Sequence, residues 1–276
     1  MLEYYFLYAI AFIWIVFATV QDLKTTEIAN WLSFSLIAFV LAYRAFYASL
    51  FEDVMFFVYG LMGVLLFVVL GYIFYYGKVF AGGDAKLLMG LGGIWPYAGF
   101  LDYLYIGLGF IFVLFIAGAI YTLVYSLFLI SRDWNKFGKE FKNEFGKNGN
   151  WFYLGILLLV VFEVILWVNF GYSSFNVLIL ILVLLPLLFI YTRAVEKACM
   201  IKLKGPRELV EGDWLEKEVK IGRKVIRKSV HGLSSGEIKL LRRAKRKVWV
   251  KDGVPFTPAF LIGFLIMVMV LRYSPF

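Results

Sequence analysis

Long apolar stretches separated by short polar ones set the plan of this 276-residue chain. Runs of about 20 apolar residues are what a helix needs to cross a bilayer. They occur at 2–20, 29–50, 54–74, 104–130, 151–170, 175–191 and 255–271. A shorter apolar run at 85–95, ending at Trp95-Pro96, predicts a short or tilted membrane helix and brings the expected number to eight. The pattern changes between 192 and 254. Alternation in Glu216-Lys217-Glu218-Val219-Lys220-Ile221 and in Lys224-Val225-Ile226-Arg227 predicts two short strands turning at Gly222. Ser234-Ser235-Gly236-Glu237 has capping-box spacing ahead of Ile238, Leu240 and Leu241, which predicts a helix running to about Lys247. The expected fold class is an all-α polytopic membrane protein of about eight transmembrane helices with a small cytoplasmic α+β domain. The expected division is a membrane core at 1–130, a charged loop and an extra helical hairpin at 131–191, a basic domain at 192–254 and a last helix at 255–276.

Composition agrees with that plan. The chain is 62% hydrophobic and 20% aromatic, with a mean hydropathy of +0.83, far above the roughly half-apolar average of soluble domains. Charge then orients it. If 21–28, 75–84, 131–150 and 192–254 are cytoplasmic, they and the adjoining Lys86 hold 26 of the 28 Lys and Arg, leaving Arg44 and Arg272 elsewhere. The positive-inside rule accordingly predicts a multi-pass cell-membrane protein with its N-terminus outside. Residues 1–20 have no basic n-region and no small-residue cleavage site before Gln21, so they are expected to stay as a helix.

The 192–254 segment carries 18 Lys and Arg against 8 Asp and Glu. With no aromatic-interleaved recognition motif, its cluster Arg242, Arg243, Lys245, Arg246 and Lys247 points to membrane lipids as partners and away from nucleic acid. A single Cys199 and a single His231 exclude an intramolecular disulfide and a Cys-cluster zinc site, and neither residue is a catalytic candidate. No metal and no cofactor are expected.

The candidate chemistry lies in two aspartates at the ends of apolar segments, Asp22 in Gln21-Asp22-Leu23-Lys24 and Asp84 in Ala81-Gly82-Gly83-Asp84-Ala85-Lys86. Each alone has an ordinary reading: Asp84 as a helix N-cap, Asp22 as a solvated interfacial residue. Both fall on the cytoplasmic side of the charge-derived topology, and two carboxylates at one site are suited to hydrolysis. Neighbouring carboxyl groups do not easily ionise together, so one keeps a proton to polarise a carbonyl while the other takes a proton from attacking water. Which of the two begins protonated is open at this point. Gly82 and Gly83 would let an extended substrate approach the backbone. Lys86 lies two residues beyond Asp84, off the same helical face, and is expected to snorkel to the surface. Pro255 and Pro258 mark a helix start and are candidate site-shaping residues. Glu163, inside an apolar stretch, is the other membrane carboxylate with a functional claim.

Asp22 followed by Ile28-Ala29-Asn30, then Gly82-Gly83-Asp84-Ala85-Lys86-Leu87, resembles the GxGD-type aspartyl peptidases, specifically the type IV prepilin peptidases and archaeal preflagellin peptidases. Val254-Pro255-Phe256-Thr257-Pro258-Ala259-Phe260 is similar to the start of the last helix in that family, and 208–247 resembles the cytoplasmic region of archaeal members. The resemblance implies a membrane aspartyl endopeptidase with Asp22 and Asp84 as its catalytic pair. Its partners would be precursor proteins with class III, pilin-like signal peptides, cut after a short basic leader at the cytoplasmic face. Ala81 stands where the strict motif has its first Gly, and Ala29 where many bacterial members have Pro. One Cys cannot build the zinc loop of bacterial members, so no methyltransferase activity is expected. Two rival readings differ in class. Signal-peptide-peptidase or presenilin-like proteases share the GxGD idea but pair it with a Tyr-Asp motif, whereas Gln21 precedes Asp22 here. A cation-binding transporter would use the carboxylates as ligands. Oligomeric state and the choice between pilin and archaellin substrates are open.

Overall fold

A computed structural model describes residues 2–170, 176–222, 224–229 and 232–273. His231, the side chain of Glu163 and residues 171–175 of the expected hairpin lie outside the described residues. The chain divides into two compact units, Met1–Val124 with Val254–Phe276, and Tyr125–Gly253.

The first unit holds α1 (Leu2–Thr25), α2 (Asn30–Phe51), α3 (Val54–Tyr76) and the short α4 (Gly82–Leu91). A continuous helical run, Phe100–Arg132, follows. It comprises α5 (Phe100–Asp102), a π-helical stretch (Tyr103–Leu108) and α6 (Gly109–Arg132), whose last turns pass into the second unit. Among the described residues four helices are long and apolar enough to cross a membrane: Glu3–Thr25, Asn30–Phe51, Val54–Tyr76 and Phe100–Arg132. Two shorter apolar helices occur at Tyr153–Phe162 and Thr257–Tyr273.

Helix α1 runs beyond the expected 2–20 to Thr25, because Gln21-Asp22-Leu23-Lys24 tolerate a helix as well as the apolar residues before them. It stops where Thr26 takes a positive φ of 55°. Its buried residues are Tyr4, Leu7, Ala11, Ile15, Ala18, Thr19 and Asp22, which follow the three-and-four spacing of one helical face. Asp22 therefore stands inside the helix, at a core position, rather than just beyond it.

Helix α2 repeats this logic with Leu32, Leu36, Val40, Arg44 and Ala48 on its buried stripe. Arg44 has no exposed surface. Its Nε donates to the Gly93 carbonyl at 2.6 Å, Nη1 to Phe56 at 2.6 Å and Nη2 to Trp95 at 2.7 Å. The guanidinium lies 4.5 Å from the centroid of the Phe56 ring and 5.4 Å from that of Tyr4. Helix α4 has 10 residues, about 15 Å at 1.5 Å per residue, and the irregular backbone after it must find partners for its carbonyls in an apolar core. Arg44 supplies them.

Helix α4 and this irregular stretch run antiparallel to α3, from beside Gly71 to beside Gly60, and a Cβ on Gly63 or on Gly92 would collide with the other residue's carbonyl oxygen. Small residues let the two backbones touch there. Gly63→Ala is expected to lower stability by about 1–3 kcal/mol through overpacking, measured as a lower melting temperature of the purified protein.

The second unit departs from expectation at 131–150. What reads as a charged loop is helical from Trp134, within α7 (Trp134–Phe170). Phe137, Phe141 and Phe145 repeat every four residues, the first pair of rings tilted and the second stacked, while Lys and Glu between them favour the helical state. Helix α8 (Asn176–Val195) continues into a π-helical turn, Glu196–Met200. Buried Glu144 accepts from Lys197 at 2.6 Å, joining that turn to α7. Cys199 packs with Ile130, Val195 and Ala198, and burial pushes its thiol above the usual range.

A small α+β segment completes this unit. Strands β1 (Ile201–Lys204), β5 (Val248–Lys251) and β2 (Trp214–Leu215) form an antiparallel sheet in the order β1-β5-β2. Strands β3 (Val219–Ile221) and β4 (Lys224–Ile226) make the expected hairpin, with Gly222 at φ 57°. The capping box forms: Glu237 N–H donates to Ser234 Oγ, and Ser234 N–H to Glu237 Oε2. Helix α9 (Ser235–Arg243) ends before the expected Lys247, because Lys245 turns to φ 50° and the chain enters β5. The chain returns to the first unit as α10 (Thr257–Tyr273).

Candidate active site

Asp22 and Asp84 come from separate helices, and both are buried, at 6% and 9% exposure. Asp22 projects from the core stripe of α1 and meets the first residue of α10. Thr257 N–H donates to Asp22 Oδ2 at 3.1 Å and Thr257 Oγ1 donates to the same oxygen at 2.8 Å. Helix beginnings leave amide groups in need of acceptors. At this one Pro258 has no N–H and the Ala259 N–H goes to the Phe256 carbonyl at 3.0 Å, so the Thr257 amide is served by Asp22.

Asp84 sits in the first turn of α4, whose N-cap is Ala81, so the helix starts before the carboxylate rather than at it. Asp84 accepts from the Ala81 backbone, the acidic half of a capping-box arrangement. Burial, and secondly the nearby negative charge of Asp22, push the Asp84 carboxyl up to about 7, against the Ala81 hydrogen bond. This carboxyl lies outside the four helices long enough to cross a membrane.

The chain between α1 and α2 is strapped to both partners. Ala29 N–H donates to Gln21 Oε1 at 3.3 Å, a bond that a proline at 29 could not make. Lys86 Nζ donates to Asn30 Oδ1 at 2.7 Å in an exposed hydrogen bond that joins α4 to the start of α2. Gly82 and Gly83 lie in the first turn of α4. A Cβ on Gly83 would stand 3.1 Å from Ile28 Cβ, whereas one on Gly82 would make ordinary contact with Tyr75 at 3.5 Å. Gly83 thus sets how closely α4 approaches the segment that follows Asp22.

Behind the carboxylates, aromatic packing locks the lead-ins of α4 and α10 together. Phe80 lies 5.5 Å from Phe256 and 5.7 Å from Phe260, centroid to centroid. Pro255 is buried beside Phe256, and Pro258 occupies the first turn of α10, where its missing N–H breaks no helical bond. Among the described residues no group of three or more His, Cys, Asp or Glu side chains gathers.

Of the residues expected at the site, Asp22 and Asp84 interact electrostatically. Gly83 and Lys86 hold α4 in place, and Pro255 and Pro258 shape the start of α10. Thr257, Asn30, Gln21 and Phe80 are what sequence reasoning missed.

A helical membrane protein with two carboxylates buried at helix ends is the class that this fold and site define. Residues 9–126 match the model described as the type IV leader peptidase family, a segment that includes Asp22 and Asp84 and excludes Thr257. Over 79 residues, 29% of this chain, the sequence is 32% identical to a preflagellin peptidase of Methanocaldococcus jannaschii. That match spans 33% of the relative's length. No solved structure matches. Over this segment the chain is similar to the type IV leader peptidase family.

Proposed function

We propose that the protein is a membrane aspartyl endopeptidase that removes short basic leader peptides from type IV pilin-like or archaellin precursors, with Asp22 and Asp84 as its catalytic pair. The observation that carries this reading is the burial of both carboxylates at helix ends, from separate elements, near enough for Asp22 to raise the proton affinity of Asp84. The family match over the segment that holds both supports it.

Hydrolysis then needs no covalent intermediate. Water attacks the scissile carbonyl carbon and gives one proton to the ionised carboxylate, while the protonated carboxyl gives its proton to the carbonyl oxygen. The product is a neutral gem-diol, with the two carboxyl groups having exchanged roles. When the C–N bond breaks, the first carboxyl returns its proton to the leaving nitrogen and a diol hydroxyl returns one to the second, which restores the pair. Because one proton must be held, kcat/KM is expected to fall as pH rises through about 7, where Asp84 ionises. A pH–rate profile measures this; activity still rising at pH 9 would contradict it.

The topology belongs to the same proposal. The multi-pass chain has its N-terminus outside and its two aspartates at the cytoplasmic face, and the eight-helix count stands as part of it. A substrate with an apolar helix after its cut site would lie beside the enzyme in the bilayer, extended locally at the interface.

The substrate test uses purified protein in liposomes and a synthetic precursor of basic leader plus apolar segment, with products read by mass. Cutting at the leader junction supports this function. Cutting inside the apolar segment supports the presenilin-like alternative. No cutting of any precursor, together with cation-dependent stabilisation lost on changing either aspartate, supports the transporter.

A further inference from the structure

Thr257 lies outside the family-matched segment, yet it makes two hydrogen bonds to one carboxylate of the pair and to a single oxygen of it. We propose that Thr257 is a positioning residue that assigns the two roles within the pair, holding Asp22 as the ionised acceptor of water's proton and leaving the proton on Asp84. This rests on the endopeptidase reading above.

The argument is geometric. An N–H can only donate, so Asp22 Oδ2 accepts there, and the hydroxyl hydrogen bond falls on the same atom. Donors aimed at a carboxylate favour its charged form, most of all where water is scarce, and Thr257 has no exposed surface. Neither of these two hydrogen bonds engages Oδ1. The start of α10 adds the positive end of a helix dipole. Asp84 is buried to a similar degree beside Asp22, and the partner it accepts from is a backbone amide, that of Ala81, where Asp22 has an amide and a hydroxyl on one oxygen. Both proton transfers then run as in the sequence above, with Asp22 as first acceptor and Asp84 as first donor.

The charged groups on the elements around Asp22 are few. Helix α4 brings Asp84 and Lys86, the latter held by Asn30. Helix α1 and its following turn bring Lys24 and Glu27, both exposed. Helix α2 brings Arg44, which is engaged by carbonyls toward that helix's other end. The charge on α10, Arg272, lies in its last turn. Thr257 is therefore the neutral group whose removal changes the balance between the two carboxyl groups without adding or deleting a charge.

Thr257→Val keeps the amide and the branched shape but deletes the hydroxyl; Thr257→Ser keeps both donors. In cleavage of the basic-leader precursor, Thr257→Val is expected to lower kcat by about 10–100-fold with KM little changed. Its pH profile should differ from the parent's, because a donor to one carboxylate of the pair is gone. Thr257→Ser should keep kcat within about threefold of the parent, with the parent's profile. All three proteins are compared at matched folded amounts, judged by thermal melting. A Val variant with parental kcat and pH profile overturns the proposal. So does a Val variant whose rate drops with no shift in profile while Ser drops equally, since that marks a purely structural threonine. Failure of the parent itself to cut would instead bring down the endopeptidase reading, so the two failures are told apart.

Discussion

Asp84→Asn is expected to lower kcat for leader cleavage by at least about 10³-fold while leaving the protein folded, since an amide of the same shape can neither hold nor return the proton. The same change should stabilise the fold. Asp84 is buried beside another carboxylate, so its ionised form is disfavoured in the folded state, where it titrates at about 7 against 3.8 for an unburdened aspartate. The sign follows from linkage. A group whose folded pKa is raised leaves stability intact below its unfolded pKa and withdraws it as pH climbs toward the folded value. The melting temperature of Asp84→Asn should therefore match the parent's near pH 4 and exceed it increasingly up to about pH 7. A variant that is less active yet more stable is what a strained functional carboxylate produces. A destabilised variant would mean instead that Asp84 is chiefly a helix cap.

Arg44→Met should lose about 3–5 kcal/mol of stability, since it removes three hydrogen bonds from a charged donor, each worth about 1.5–3 kcal/mol before the relief of burying the charge is counted. Three carbonyls depend on this guanidinium, and two of them, Gly93 and Trp95, lie in the irregular backbone after α4. With Arg44 gone the Gly93 carbonyl loses its charged donor in an apolar core, Trp95 keeps the Tyr97 N–H at 3.0 Å, and the Phe56 and Tyr4 rings lose their cation. Arg44→Lys should recover little, because a single ammonium cannot reach three carbonyls that a planar fork serves. Since α4 carries Asp84 at its other end, the Met variant should also lose activity in proportion to its loss of fold. Denaturant titration of both variants measures this; a loss below about 1 kcal/mol would show that the carbonyls find other partners.

Hydrophobic patterning made the long helices legible, because a span needs length and apolarity and both are visible in a single sequence. The β3–β4 hairpin and the α9 capping box were legible through turn and cap chemistry, which is equally local. Less was legible where a polar residue stands at a core position. Arg44 reads as an exception to a charge rule until its place in the stripe Leu32, Leu36, Val40, Arg44, Ala48 is noticed. Asp22 likewise continues Tyr4, Leu7, Ala11, Ile15, Ala18, and counting on by threes and fours would have placed it inside α1. The helical start of α7 was hidden by its charge, although Phe137, Phe141 and Phe145 have the period. The partnership of Asp22 with Thr257, 235 positions away, is a product of tertiary folding, and no local rule reaches it. The second unit carries the most positive part of the chain, and the lipid partnership expected for it rests on charge alone.

The most direct measurement is cleavage of one basic-leader precursor by the purified parent, Asp22→Asn and Asp84→Asn, with each product's new N-terminus read by mass. Asp22→Asn keeps an oxygen that can accept both Thr257 hydrogen bonds, so its fold should survive and its chemistry should not. The predicted result is a single cut at the leader junction by the parent and none by either folded variant. Cutting by either variant at a rate near the parent's would contradict the assignment of these two carboxylates as the catalytic pair.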